Sequence, residues 1–154
     1  MEFSQNLPKT KCLSIFYSCP IPFEARLVFP IQRFLWFKSE NSFYRELLLD
    51  AQDSKQAAFY GSISGFSFLN SKHRKELKSP IEEVADWSII AYKIMLATTK
   101  LKLKHNPLIL EFLLKTKDEP LIEIDHPSYW GTTDTKKNRY GKLLMKLRTE
   151  FGRS

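Results

Sequence analysis

The stretch Ser79-Pro80-Ile81-Glu82 constrains this chain more than any other. A serine whose hydroxyl can accept from the backbone, a proline at the first helical position and a glutamate three residues after the serine form a capping box. Behind it Val84, Trp87, Ala91, Ile94, Thr98 and Leu101 recur at three or four residues, so the spacing predicts a helix over 80–104. Asn106-Pro107 repeats the cap-then-proline device and predicts a second helix through LILEFLLKT. PLIEI at 120–124 reads as a strand, and Tyr140, Leu143, Leu144, Leu147 and Phe151 mark the apolar face of a last helix. Upstream, 12–17 and 24–31 are rich in strand formers, and CPIP at 19–22 separates them. Ser39 precedes a helix in ENSFYRELLLDA, where Phe43, Leu47 and Ala51 share a face. Ser54 caps a short helix, KQAAFY, ended by Gly61. Residues 62–78 have no clear period and read as an irregular excursion. The pattern is α+β, a predominantly helical single domain over 1–154 with a small β-sheet.

Composition excludes several classes. With 154 residues, 43% hydrophobic and 14% aromatic, the chain is globular and long enough to bury a sizeable core. Apolar runs such as Leu108-Ile109-Leu110 are broken by charge too soon to span a bilayer. MEFSQNLPKTK has no basic region ahead of an apolar one, so no secretion signal is expected. Cys12 and Cys19 read as free thiols in a reducing, cytoplasmic setting. His73, His105 and His126 lie far apart without metal-ligand spacing, and the expectation is no metal and no cofactor. The formal net charge of +7 suggests an anionic partner. The basic runs KHRKELK (72–78), KLKLKH (100–105) and KKNRYGK (136–142) are dispersed, and solvated faces explain such runs more often than one nucleic-acid patch. No glycine-rich phosphate loop is present.

Taken in order, a larger set of residues is more specific: Glu40-Asn41-Ser42-Phe43; Trp87 with Met95; Lys102; Asn106-Pro107; Leu113-Leu114, Thr116, Asp118, Leu121 and Glu123; Trp130-Gly131; Asn138, Gly141-Lys142, Leu144-Met145 and Arg148. This order and its gaps resemble the NADAR, or YbiA-like, family over roughly residues 13–150. Four positions depart from the family pattern. Ile15 stands where a polar residue is usual and Tyr44 where a glutamine is usual. Leu103 stands where a phenylalanine follows the lysine, and Pro127 where an acidic residue is common.

The resemblance implies hydrolysis of an N-glycosidic bond, releasing ADP-ribose from a guanine base or splitting a related phosphoribosyl compound. The modified base is either a small molecule or part of a nucleic acid, and no membrane is involved. Breaking a base–ribose bond builds positive charge on the anomeric carbon, which a carboxylate can stabilise while a second group assists the leaving base. The resemblance points to Glu40 and Lys102 for chemistry, and Asp134, in the loop after Trp130-Gly131, joins them as a candidate catalytic carboxylate within reach of ribose hydroxyls. Glu40 is expected in the first turn of its helix. Lys102 is expected to contact phosphate first and to act as a covalent amine second. Asn41, Trp87, Trp130, Gly131, Asn138 and Lys142 are the candidate substrate contacts, with Glu40 and Lys102 expected to share one polar cleft. Bland readings stand beside these: a carboxylate at a helix start, a snorkelling lysine and core tryptophans. Gly141, inside a helix, means either tight packing by another element or a helix start held open for an anion. The competing class is a binding module for a nucleotide or nucleic acid without turnover.

Overall fold

A computed structural model describes residues 1–124, 130 and 137–153. Among these, seven α-helices accompany two small two-stranded sheets, which is the α+β, mainly helical class read from the sequence. The chain divides into two compact units, one formed by Met1–Tyr17 with Thr99–Ser154 and the other by Ser18–Thr98. No described helix is long and apolar enough to cross a membrane.

The 18–98 unit opens with a hairpin. Strands β2 (Ile21–Phe23) and β3 (Arg26–Val28) pair antiparallel. The turn between them places Glu24 and Ala25 at φ 49° and 58°, the left-handed pair that a two-residue hairpin requires. The expected strands therefore shift. Residues 24–31 do not form one strand, because Pro30 starts helix α1 (Pro30–Trp36). The buried Gln32 side chain holds that start: its Oε1 accepts the Phe29 N–H at 2.6 Å, and its Nε2 donates to the Leu48 and Leu49 carbonyls at 3.1 and 3.2 Å. Helix α2 (Ser42–Leu49) follows and is capped by Asn41, so Glu40 precedes the cap and does not lie in the first turn. Helix α3 (Ser54–Tyr60) is capped by Asp53, one residue before the expected Ser54, and Gly61 stands at its C-cap as expected.

Residues 62–78 are not irregular. Ser62 caps helix α4 (Ile63–Lys72) by accepting the Gly65 N–H at 2.9 Å. A Cβ on Gly65 would lie 1.8 Å from the Phe59 carbonyl oxygen, so α4 approaches the end of α3 as only glycine permits.

The capping box at Ser79 does not nucleate a helix, and α5 runs over Trp87–His105 instead. Asn70 grips Ile81 from both sides, Oδ1 taking its N–H at 2.7 Å and Nδ2 giving to its carbonyl at 3.0 Å. The Val84 N–H donates to the Lys38 carbonyl at 2.9 Å. The Ile81 carbonyl and the Val84 N–H are groups that the first helical turns would need, so tertiary partners override the local signal.

In the other unit, residues 12–17 form no strand. Their amides close local turns, Leu13 to Thr10, Ser14 to Lys11 and Tyr17 to Ser14, around a 3-10 turn at Lys11–Leu13. Strand β1 (Glu2–Phe3) instead pairs parallel with β4 (Ile122–Glu123), which lies within the expected 120–124. Helix α6 (Pro107–Lys115) begins at the Asn106-Pro107 signal, and α7 (Arg139–Gly152) carries the expected apolar face, with Tyr140, Leu143, Leu144 and Leu147 buried.

Gly141 is explained by packing. A Cβ there would lie 2.3 Å from both the Leu121 carbonyl oxygen and Asn138 Oδ1. Asn138, itself left-handed at φ 51°, uses that space to donate to the Leu121 carbonyl at 2.7 Å and to accept the Glu123 N–H at 2.9 Å. Gly141→Ala is expected to destabilise the protein by about 1–3 kcal/mol, the range for overpacking a fixed backbone contact. At Gly152 the nearest atom to an added Cβ is Leu114 Cδ2 at 3.9 Å, so Gly152→Ala is expected to be neutral or stabilising. Denaturant midpoints of the two variants check the contrast.

Candidate active site

The inner side of α5 brings an unusual pair into the unit formed by residues 1–17 and 99–154. Lys102 is 1% exposed, and its ammonium donates to the Ser14 carbonyl at 2.7 Å. Glu123, on β4, is also 1% exposed. Burial pushes its carboxyl up to about 8 from the ordinary 4.5, and the Lys102 charge opposes the rise. Burial likewise raises the Cys12 thiol, again against the pull of Lys102. One buried ammonium therefore acts on a carboxyl and a thiol together.

The fold places these groups by short, specific bonds. Phe3 pairs with Glu123 along the parallel ladder, and Asn138 fixes the Glu123 amide from the other side. Tyr140 follows Asn138 by two residues. Its N–H donates to the Trp130 carbonyl at 2.9 Å, and its hydroxyl meets Thr99 Oγ1 at 3.3 Å, three residues before Lys102. Trp130 is buried at 7% exposure. Lys142 is exposed one turn into α7. This unit thus holds Lys102, Trp130, Asn138 and Lys142 of the candidates, with the Asn138 side chain committed to the backbone of Leu121 and Glu123. Gly131 and Asp134 lie outside the described residues, as does Pro127.

Glu123 stands in the ordered set of residues that resembles the family, but its spacing alone points to no role. The signal was the alternation of PLIEI. Successive strand residues face opposite sides, so placing Leu121 inward also places Glu123 inward and Ile122 outward. The structure shows this pattern, with Leu121 at 0%, Ile122 at 38% and Glu123 at 1% exposure.

Glu40 and Asn41 belong to the 18–98 unit. Asn41 Oδ1 accepts the Tyr44 N–H at 2.9 Å, and its Nδ2 donates to the Ser79 carbonyl at 3.1 Å. Two concavities share Glu40, Asn41 and Ser79. One, of about 310 Å³, adds Glu82 and Glu83; the other, of about 490 Å³, adds Glu46, Glu76 and Lys78. Carboxylates outnumber cations in this lining. Such a lining suits developing positive charge on a sugar carbon better than it suits a phosphate. Trp87, the first residue of α5, is half-buried with its ring 5.1 Å from that of Phe34.

At two of the departing positions a core side chain stands where the family pattern is polar. Tyr44 is fully buried, its hydroxyl donates to the Leu35 carbonyl at 2.7 Å, and burial raises its pKa. Ile15 is 1% exposed in the core of its unit.

Glu123 has a consequence for stability. Its folded pKa lies above its unfolded value, so the neutral acid's contribution is full below about 4.5 and is lost as pH rises toward about 8. Chemical denaturation of the wild type is therefore expected to show stability falling by a few kcal/mol between pH 5 and 8. Glu123→Gln, which stays neutral, is expected to flatten that fall; an unchanged slope would place the titration elsewhere.

The family model for the NADAR domain matches residues 2–152, both units included. Among solved structures, the NMR structure of the E. coli protein YbiA superposes with a TM-score of 0.76 at 23% identity, covering 99% of this chain and 84% of that one. That is a likeness of fold. No curated protein matches in sequence. With nearly its whole length matched and its ordered residues in the family's sequence, this chain belongs to the NADAR domain family.

Proposed function

We propose that the protein is an N-glycosidase that removes ADP-ribose from a guanine base or cleaves a related phosphoribosyl N-glycoside. The observation that carries this reading is the burial of Glu123 beside Lys102 in a chain of this family. A carboxyl still protonated near neutral pH is a proton donor, and departure of a nucleobase requires one. In the proposed step the C1′–N bond breaks and its electron pair leaves with the base, which takes the Glu123 proton. Water adds hydroxide at C1′ and surrenders its other proton to a carboxylate.

Glu40 retains the carboxylate role that the resemblance assigns, and its negatively lined surroundings support stabilisation of a cationic ribose. Lys102 is assigned to phosphate first, which would compete with the Ser14 carbonyl for the ammonium, and to covalent attack at the sugar carbon second. Asp134 is assigned to the ribose hydroxyls. Asn41, Trp87, Trp130, Gly131, Asn138 and Lys142 are proposed as substrate contacts. One observation favours the competing reading, a nucleotide or nucleic-acid binding module without turnover: Tyr44 and Ile15 are committed to core where the family carries polar side chains.

Incubation with ADP-ribosylated guanine nucleotides and oligonucleotides, followed by mass spectrometry, is expected to show free ADP-ribose. Glu40→Gln is expected to abolish turnover while changing stability by less than about 1 kcal/mol, because the side chain is exposed. Glu123→Gln is expected to slow turnover by about 10²–10⁴-fold, the usual worth of a general acid. Ligand binding without release from any N-riboside, by folded protein, would establish the binding module instead.

A further inference from the structure

The net charge is not evenly distributed. Residues 1–17 and 99–154 hold fourteen Lys and Arg against eight Asp and Glu, whereas 18–98 hold ten against nine. Within the basic unit, two sequence-distant lysine rows come together. Lys100 and Lys104 are four residues apart on α5, and Lys142 and Lys146 are four apart on α7. Lys104, Lys142 and Lys146 are exposed, and the Lys100 side chain is 36% exposed. Glu150, one turn beyond Lys146, joins the rows through a 2.7 Å ion pair with Lys100. That hydrogen-bonded pair holds the Glu150 carboxyl below its usual range, and Lys146 and Lys104 add to the effect.

Like charges four residues apart on a helix repel one another. Two such pairs, with Lys100, Lys104 and Lys146 sharing one carboxylate, are a mild burden that folding does not need. They suit a polyanion, whose successive charges would occupy the ridge that Glu150 fills only in part. A bilayer surface fits less well, because no large hydrophobic residue of α7 is exposed to anchor it.

The geometry points to the α5–α7 lysine ridge of Lys100, Lys104, Lys142 and Lys146 as a docking surface for the phosphate backbone of a single-stranded nucleic acid. The choice of a single strand rests on the N-glycosidase reading, since a base inside a duplex is out of reach of such chemistry. The ridge itself does not depend on that reading. Sequence alone argued against a continuous patch; the fold assembles one from the KLKLKH run and α7.

The test is fluorescence anisotropy of the full chain with a labelled, unmodified oligothymidine across a salt series. Wild type is expected to bind, with log affinity falling linearly with log salt. Lys104→Gln with Lys146→Gln is expected to weaken binding and reduce the slope by about 1.4, two phosphate contacts at about 0.7 each. Glu150→Gln is expected to tighten binding, an outcome that misfolding cannot imitate. Hydrolysis of a free ADP-ribosylated nucleotide by the double variant is expected to stay at the wild-type rate, which separates docking from chemistry. No binding at low salt, or affinities unmoved by all three substitutions, would overturn the proposal. So would capture by vesicles containing phosphatidylserine with none by the oligonucleotide. Oligonucleotide binding without turnover of any N-riboside would leave the ridge standing and remove the glycosidase.

Discussion

The unit that carries the candidate chemistry depends on burying an ammonium and a carboxyl together. Taking either ion out of water alone costs several kcal/mol, and the cost is tolerable only with close polar partners. Lys102 meets it by giving a 2.7 Å hydrogen bond to the Ser14 carbonyl. Glu123 meets it by keeping its proton to about pH 8 while Lys102 pulls the other way. Much of the surrounding structure follows from these two positions. Residues 12–17 must turn to bring the Ser14 carbonyl to Lys102, and β4 must lie beside β1 to place Glu123 inward. Asn138 must fold left-handed to hold the strand, which leaves room at position 141 for glycine alone.

The 18–98 unit solves a different problem. Its helices are joined by polar side chains that satisfy backbone groups: Gln32 beneath the start of α1, Asn41 at the cap of α2, and Asn70 against Ile81. The last two also shape the surroundings of Glu40. Asn41 ties the α2 cap to Ser79 and Asn70 holds Ile81, and Glu82 and Glu83 line the same concavity as Glu40. Had the Ser79 capping box formed its helix, that concavity would not exist in this form. A strong local signal was overruled where the lining of a candidate site is built.

What was legible in the sequence divides along the same line. Helices with periodic apolar faces and local caps were readable: α6 from Asn106-Pro107, α7 from its apolar stripe, and the body of α5 from Trp87 to Lys104. Elements fixed by distant partners were not. Helix α4 has little amphipathic signal because Gly65 packs backbone to backbone, and α1 was hidden because Phe29 offers no capping hydroxyl and a side chain inside the helix does that work. The family could be named from ordered residues alone. The role proposed for Glu123 could not, because it rests on burial beside Lys102 and not on spacing. The lysine ridge was likewise invisible while its rows lay some forty residues apart.

The central claim is that Glu123 donates the proton that releases the base. Its most direct test is the single-turnover rate of ADP-ribose release from an ADP-ribosylated guanine substrate, measured from pH 5 to 10. The account predicts a descending limb with a midpoint near pH 8, where the buried acid loses its proton. The limb should be absent from the residual activity of Glu123→Gln. A wild-type rate that stays level or rises through pH 9 would contradict it.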